Sequence, residues 1–160
     1  MSNLWRHKIR FSRNRRGTTD LVEFSLILPV FLLLMFALID LGRYYWIRET
    51  VESAIRQAGR YAITGQGSPN RVQSIQLIAT NQLAMLKSPT VNVSSCPPDS
   101  LPNFVLGSAG NPGDFVKIEI ITRLGFFTPG IAKYFGPNGS NTLDMAVVFR
   151  NENFLPNNGG

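Results

Sequence analysis

Apolar residues are unevenly spread along this chain. From Leu21 to Leu41 they run almost without a break, LVEFSLILPVFLLLMFALIDL, which is about the 20 residues a helix needs to cross a hydrocarbon core of roughly 30 Å. The part without a charged residue, Phe24 to Ile39, is shorter, with Glu23 and Asp40 near its two ends, where a carboxylate reaches the interface at lower cost. Tyr44, Tyr45 and Trp46 then fit an aromatic belt on the far side. Beyond the belt the pattern becomes striped. Val51, Ala54, Ile55, Ala58 and Ala62 keep the spacing of one helical face, while Arg48, Glu49, Glu52, Arg56 and Arg60 occupy the others. Gly65 and Gly67 end the stripe. A single helix from about Leu21 to Thr64 is expected, on the order of 65 Å long at about 1.5 Å per residue. It is a rod with one end in the membrane.

Ser68 and Pro69 offer an N-cap and a first-turn proline, and Val72, Ile75, Ala79, Leu83 and Leu86 outline a second amphipathic helix, about 69–87, ending near Pro89. The period then drops to two. Val91 and Val93 mark a strand at about 90–95. Val116, Ile118 and Ile120, set against Lys117, Glu119 and Arg123, mark one at about 114–124, and Leu143, Met145, Val147 and Phe149, set against Asp144 and Arg150, mark one at about 143–150. The connections Cys96 to Gly113 and Gly125 to Thr142 are rich in Pro and Gly. The second carries Phe126, Phe127, Ile131, Tyr134 and Phe135, which are expected to fold back over a small sheet. The fold class is α+β, with a long N-terminal helix, a second amphipathic helix and a small antiparallel sheet of about three strands.

Charge sets the orientation. The net charge of +6 resides entirely in Arg6, Lys8, Arg10, Arg13, Arg15 and Arg16, since ten basic residues face ten acidic ones from Gly17 onward. A basic flank preceding the first apolar run places the N-terminus in the cytoplasm and the rest of the chain outside, although Arg43, Arg48, Arg56 and Arg60 dilute the contrast. A cleavable signal peptide has the same basic-then-apolar order. Here, however, the run is longer than such a peptide's core, and Ile39 to Arg43 provide no pair of small residues for cleavage.

Several function classes fall away. The basic tail has no aromatic-interleaved groove beside it, so nucleic acid is not an expected partner. One cysteine, Cys96, precludes an internal disulfide, and the lone histidine, His7, lies in the tail. The outer part therefore lacks the residues for a Cys/His zinc site or a Ser-His-Asp triad, and no P-loop or GxGxxG run is present. Lys87 and Ser88 are adjacent at a helix end and rarely converge on one substrate from such positions. No catalytic residue, metal site or cofactor is expected.

The stretch RRGTTDLVEFSLILPVFLLLMFALIDLGRYYWIRETVESAIRQAGRYA resembles the N-terminal signature of TadE-like pseudopilins of tight-adherence (Flp-type) pilus systems. A basic tail, a glycine, a Val-Glu-Phe opening an apolar helix with a proline, an Ile-Asp-Leu-Gly-Arg sequence and an alanine-rich run from Ala54 to Ala62 carry the likeness, which covers roughly residues 15–64. The segment Met145 to Asn153 is a weaker echo. The resemblance implies a pilin-like fold and a minor pseudopilin or membrane-anchored assembly component in a bacterial inner membrane. Its implied partners are membrane lipid, other pilin or pseudopilin subunits, tight-adherence assembly proteins and a prepilin peptidase cutting between Gly17 and Thr18. On that division 1–17 is a basic tail or leader, 18–46 the transmembrane helix and 47–160 the outer α+β domain.

A cut after Gly17 leaves Glu23 sixth in the mature chain, where pilin-like signals usually hold glutamate fifth. An uncut single-pass adaptor that never enters a fibre is therefore the alternative. The helix-assembly candidates are Glu23, Phe24, Pro29 and Asp40. For Glu23 two readings coexist: pairing with a neighbouring subunit's N-terminal amine, which sets subunit stagger, or a capping box with Asp20 as N-cap. Pro29 removes one backbone donor and either kinks the helix or is simply tolerated. Asp40 is expected as a solvated helix residue, with bonding to polar neighbours at the interface as the other reading.

Overall fold

The structure, a computed structural model, describes residues 15–67, 69–128 and 141–154, with side chains from Thr19 onward. Arg6, Lys8, Arg10 and Arg13 lie outside the described residues, as do Ser68, Ile131, Tyr134 and Phe135. The elements in order are α1 (Arg15–Ile63), α2 (Arg71–Gln82), β1 (Thr90–Cys96), a 3-10 turn (Pro98–Ser100), β2 (Val105–Leu106), β3 (Phe115–Arg123) and β4 (Thr142–Arg150).

Helix α1 has 49 residues, about 74 Å at about 1.5 Å per residue. It starts six residues earlier than expected and runs without interruption through Pro29. It stops where the chain turns left-handed at Gly65 (φ 72°), whose N–H bonds the Ala62 carbonyl at 3.3 Å. That φ is accessible to glycine at no steric cost.

Helix α2 is shorter than the 69–87 expected. It begins at Arg71 after Asn70, whose side chain makes no capping bond, and ends at Gln82, capped by Leu83, whose N–H reaches both Ala79 and Thr80 carbonyls. The bond from Leu86 N–H to Leu83 O (2.8 Å) then continues as a turn, which keeps Leu86 against the core outside the helix.

The strands form one antiparallel sheet of four, in the order β2-β1-β3-β4. The fourth member, β2, has two residues, both exposed, and pairs with Ser94 and Ser95 of β1. No burial pattern announces such a strand, because pairing alone defines it.

One face of the sheet packs on α1 and α2. Val91 and Val93 of β1, with Val116, Ile118 and Ile120 of β3, meet Ile47, Val51, Ala54, Ile55, Ala58 and Ala62 of α1 and Ile75, Ala79 and Leu83 on the α2 side. Each large buried aliphatic in this layer contributes about 1.5–3 kcal/mol. The core therefore holds the outer half of α1 far more firmly than helix propensity does. Cys96 is buried at the distal end of β1 with its thiol 3.3 Å from the Pro97 carbonyl.

The alternation in β3 is complete, but β4 is buried only at Leu143, and Val147 and Val148 are exposed. Phe149 compensates by placing the tip of its ring against Gly59 of α1, where an added Cβ would overlap it. Glycine normally costs a helix interior about 1 kcal/mol relative to alanine. Here the ring needs that space. Gly59→Ala is expected to lower stability by about 1–2 kcal/mol in chemical denaturation, and to become neutral or stabilising in a Phe149→Ala background. A simple sum of the two single effects would count against the contact.

Candidate functional site

The apolar half of α1 stands clear of the domain. Leu21, Val22, Phe24, Leu26, Ile27, Val30, Phe31, Leu33, Leu34 and Leu38 are all exposed, and none of the most apolar 18-residue window is buried. A helix this long and apolar fits a single-pass membrane protein. In water such a surface would be far larger than the apolar patches soluble monomers expose.

Among the predicted site residues, Glu23, Phe24 and Pro29 lie on this bare segment and are exposed. Arg15, Arg16, Gly17 and Thr18 form the first turns of α1. The early start changes the reading of Glu23. Asp20 and Glu23 sit inside the helix, so their backbone N–H groups already have intrahelical acceptors and the capping-box geometry does not arise. Pro29, lacking an N–H, leaves the Ser25 carbonyl without its helical donor.

Asp40 corrects the expectation of a solvated residue. Only 1% of it is exposed. Its two carboxylate oxygens accept the backbone N–H groups of Phe127 (2.8 Å) and Thr128 (2.7 Å), at the start of the β3–β4 connection. Asp40, Tyr44, Ile47, Val51 and Ala54 are spaced four, three, four and three residues apart, so Asp40 is the first position of the stripe that faces the sheet. That register was available in the sequence. What the sequence lacked was the partner, since the acceptor's donors are backbone groups 87 and 88 residues away.

The same junction brings in residues that sequence reasoning passed over. The Arg43 guanidinium lies over the Phe127 ring, 5.0 Å from its centroid, and Phe126 packs against the core. Among the described residues of the loop, Phe126 thus folds back onto the core and Phe127 onto Arg43 of α1. Glu23 and Asp40 are 17 residues apart along α1, about 25 Å, so the structure does not gather the helix-assembly candidates into one cluster. They mark the two ends of the apolar span.

At the opposite end of the domain, Arg71 joins four segments. Its guanidinium donates to the Ala62 carbonyl (2.7 Å) at the end of α1 and to the Gly110 carbonyl (2.6 Å), and it lies over the Phe154 ring. Asn151 completes the knot, bonding the carbonyls of Ala109 (3.0 Å) and Asn111 (2.9 Å). An open cleft of about 590 Å³ adjoins it, lined in part by Asn70, Arg71, Ser95, Ser108 and Asp114. The Ser95 and Ser108 hydroxyls bond each other at 2.7 Å and Asp114 accepts the Asn111 N–H, so these groups serve the loop's own geometry. Lys87 and Ser88 are exposed in a turn, with the Lys87 carbonyl bonded by Thr122. Among the described residues no group of three or more His, Cys, Asp or Glu could hold a metal ion.

Residues 20–60 match the family model described as TadE-like protein. The matched segment is the bare apolar helix together with most of the stripe that carries the sheet, and it coincides with the part of the chain whose residues resemble that family. No curated protein and no solved structure gives a significant match.

Proposed function

We propose that this chain is a minor pseudopilin or membrane-anchored assembly component of a tight-adherence (Flp-type) pilus or a related secretion system. The basic arm, 1–17, lies in the cytoplasm, 18–46 crosses the bacterial inner membrane, and 47–160 projects into the periplasm or the pilus base. Binding resides in the helix. The observation that carries the reading is a continuous α1 whose apolar segment stands clear of the domain and whose second half is the domain's spine, with residues 20–60 of it matching the TadE-like model. A helix of this kind packs laterally with others of its kind without changing the domain it carries.

Glu23 is the residue proposed to set the stagger between subunits. A carboxylate at the start of an apolar helix is costly unless paired, and with the capping box removed its best partner is a cation supplied by a neighbouring chain. Glu23→Ala is expected to leave membrane insertion intact and to abolish recovery of the protein with sheared surface fibres or assembly complexes. Wild-type recovery of that variant would remove this role.

An uncut adaptor is the second reading, and one observation favours it. The Gly17–Thr18 bond lies within the first turns of α1, whereas a peptidase acts on extended backbone, so cutting there requires the helix to fray. N-terminal sequencing of protein recovered from membranes decides between them. A start at Thr18 supports pilin-type processing, and an intact Met1 supports the adaptor.

A further inference from the structure

The two bonds to Asp40 fix a depth as well as a loop. If the apolar run from Leu21 crosses a hydrocarbon core of about 30 Å, its far boundary falls about 20 residues on, at Asp40 and Leu41. The Phe127 and Thr128 amides are 2.8 and 2.7 Å from the Asp40 carboxylate. The start of the β3–β4 connection is therefore held at the level of the lipid headgroups.

What that segment presents there is an aromatic ring with one covered side. Phe127 is 62% exposed, and its cover is the Arg43 guanidinium, which also lies 3.8 Å from the Cβ position of Gly125. Tyr45 and Trp46, at the same height on α1, are about half exposed. In water an open phenylalanine beside a cation has no reason to be ordered by two buried bonds beneath it. At a bilayer surface the same pair has a complete environment: the ring enters the headgroup and upper acyl region, and the guanidinium reaches phosphate.

We infer that Phe127 and Arg43 form a second membrane contact, in the leaflet where α1 emerges, with lipid phosphate as the ligand of Arg43 and the acyl boundary as the environment of Phe127. The domain then rests on the bilayer at two points and does not swivel about α1. This rests on the reading of α1 as a bilayer-crossing helix.

The test uses the full-length chain in vesicles of phosphatidylcholine and phosphatidylglycerol, with and without bromine on the acyl chains. Trp5→Phe and Trp46→Phe remove the native tryptophans, and Phe127→Trp or Phe31→Trp supplies a single reporter. Phe31 lies in the middle of the apolar span. Brominated lipid is expected to cut the emission of both reporters roughly two-fold or more, since an interfacial tryptophan sits within reach of the acyl chains. Quenching at position 31 with none at 127 overturns this inference alone. A blue-shifted 127 reporter that brominated lipid leaves untouched also overturns it, because a neighbouring protein then covers the ring. No quenching at either position overturns the bilayer-crossing reading and this inference with it.

Discussion

Asp40→Ala is expected to raise amide exchange at Phe127 and Thr128 on the order of a hundredfold, corresponding to about 3 kcal/mol lost locally. The carboxylate is buried and both of its oxygens are used. Truncation leaves two backbone donors facing a gap at the edge of a low-dielectric region, and each such donor costs about 1–3 kcal/mol. Water enters this site more readily than a core, so the loss takes the form of local opening of the 125–128 segment with α1, α2 and the sheet still packed.

Asn is not a neutral replacement at this position. It keeps one oxygen but brings an NH2 group against N–H donors, so Asp40→Asn is expected to fall near alanine and well below wild type. Hydrogen exchange of the protein in lipid nanodiscs, resolved to peptides covering 124–128, measures this. Unchanged protection in Asp40→Ala would mean that the segment is held by Phe126 packing alone.

Arg71→Ala is expected to destabilise the whole domain by about 2–4 kcal/mol, seen as a fall in melting temperature of about 10–20 °C for a domain of this size. The reason lies in what the guanidinium bonds. The Ala62 carbonyl belongs to the last turn of α1, where its other donor is the more distant Gly65 N–H at 3.3 Å, and Gly110 lies in the long β2–β3 connection. Burial presses the Arg71 pKa down from its ordinary value, yet a guanidinium stays charged in any protein interior. Both bonds are therefore charge-assisted.

The ring of Phe154 covers the same guanidinium, centroid 4.6 Å away, and Gly65 has no room for a Cβ beneath that ring. Loss of Arg71 thus loosens the end of α1, the start of α2, the connection at 107–111 and the C-terminal strand exit together. Arg71→Lys restores charge but not the two-pronged fork. It is expected to recover less than half of the loss. Full recovery by lysine would show that charge alone, without the fork, joins these segments.

Position by position, the sequence was informative wherever a residue's environment follows from its own element. The stripe Val51, Ala54, Ile55, Ala58, Ala62 states which side of α1 is buried before any partner is known, and the alternation at 116–120 does the same for β3. Both are one-dimensional periodicities. Asp40, Gly59 and Arg71 are different: Asp40 was a candidate without a partner and the other two carried no signal, yet each is the point where a remote segment docks. The short strand β2 was equally silent, because its two side chains are exposed and its identity rests on hydrogen bonds to Ser94 and Ser95.

By itself the sequence determined that this protein has a bilayer-length apolar helix continuing into an amphipathic one, a second helix, a small antiparallel sheet and a likeness to TadE-like proteins. Tertiary structure alone decided that the sheet has four strands, that Asp40 is buried against the Phe127 and Thr128 amides, and that the far end is tied through Arg71. The physical reason is the range of the interactions. Hydrophobic periodicity is written locally because burial acts on each side chain in turn, whereas a carboxylate or guanidinium takes its partner from backbone groups, which every residue carries and no residue type announces.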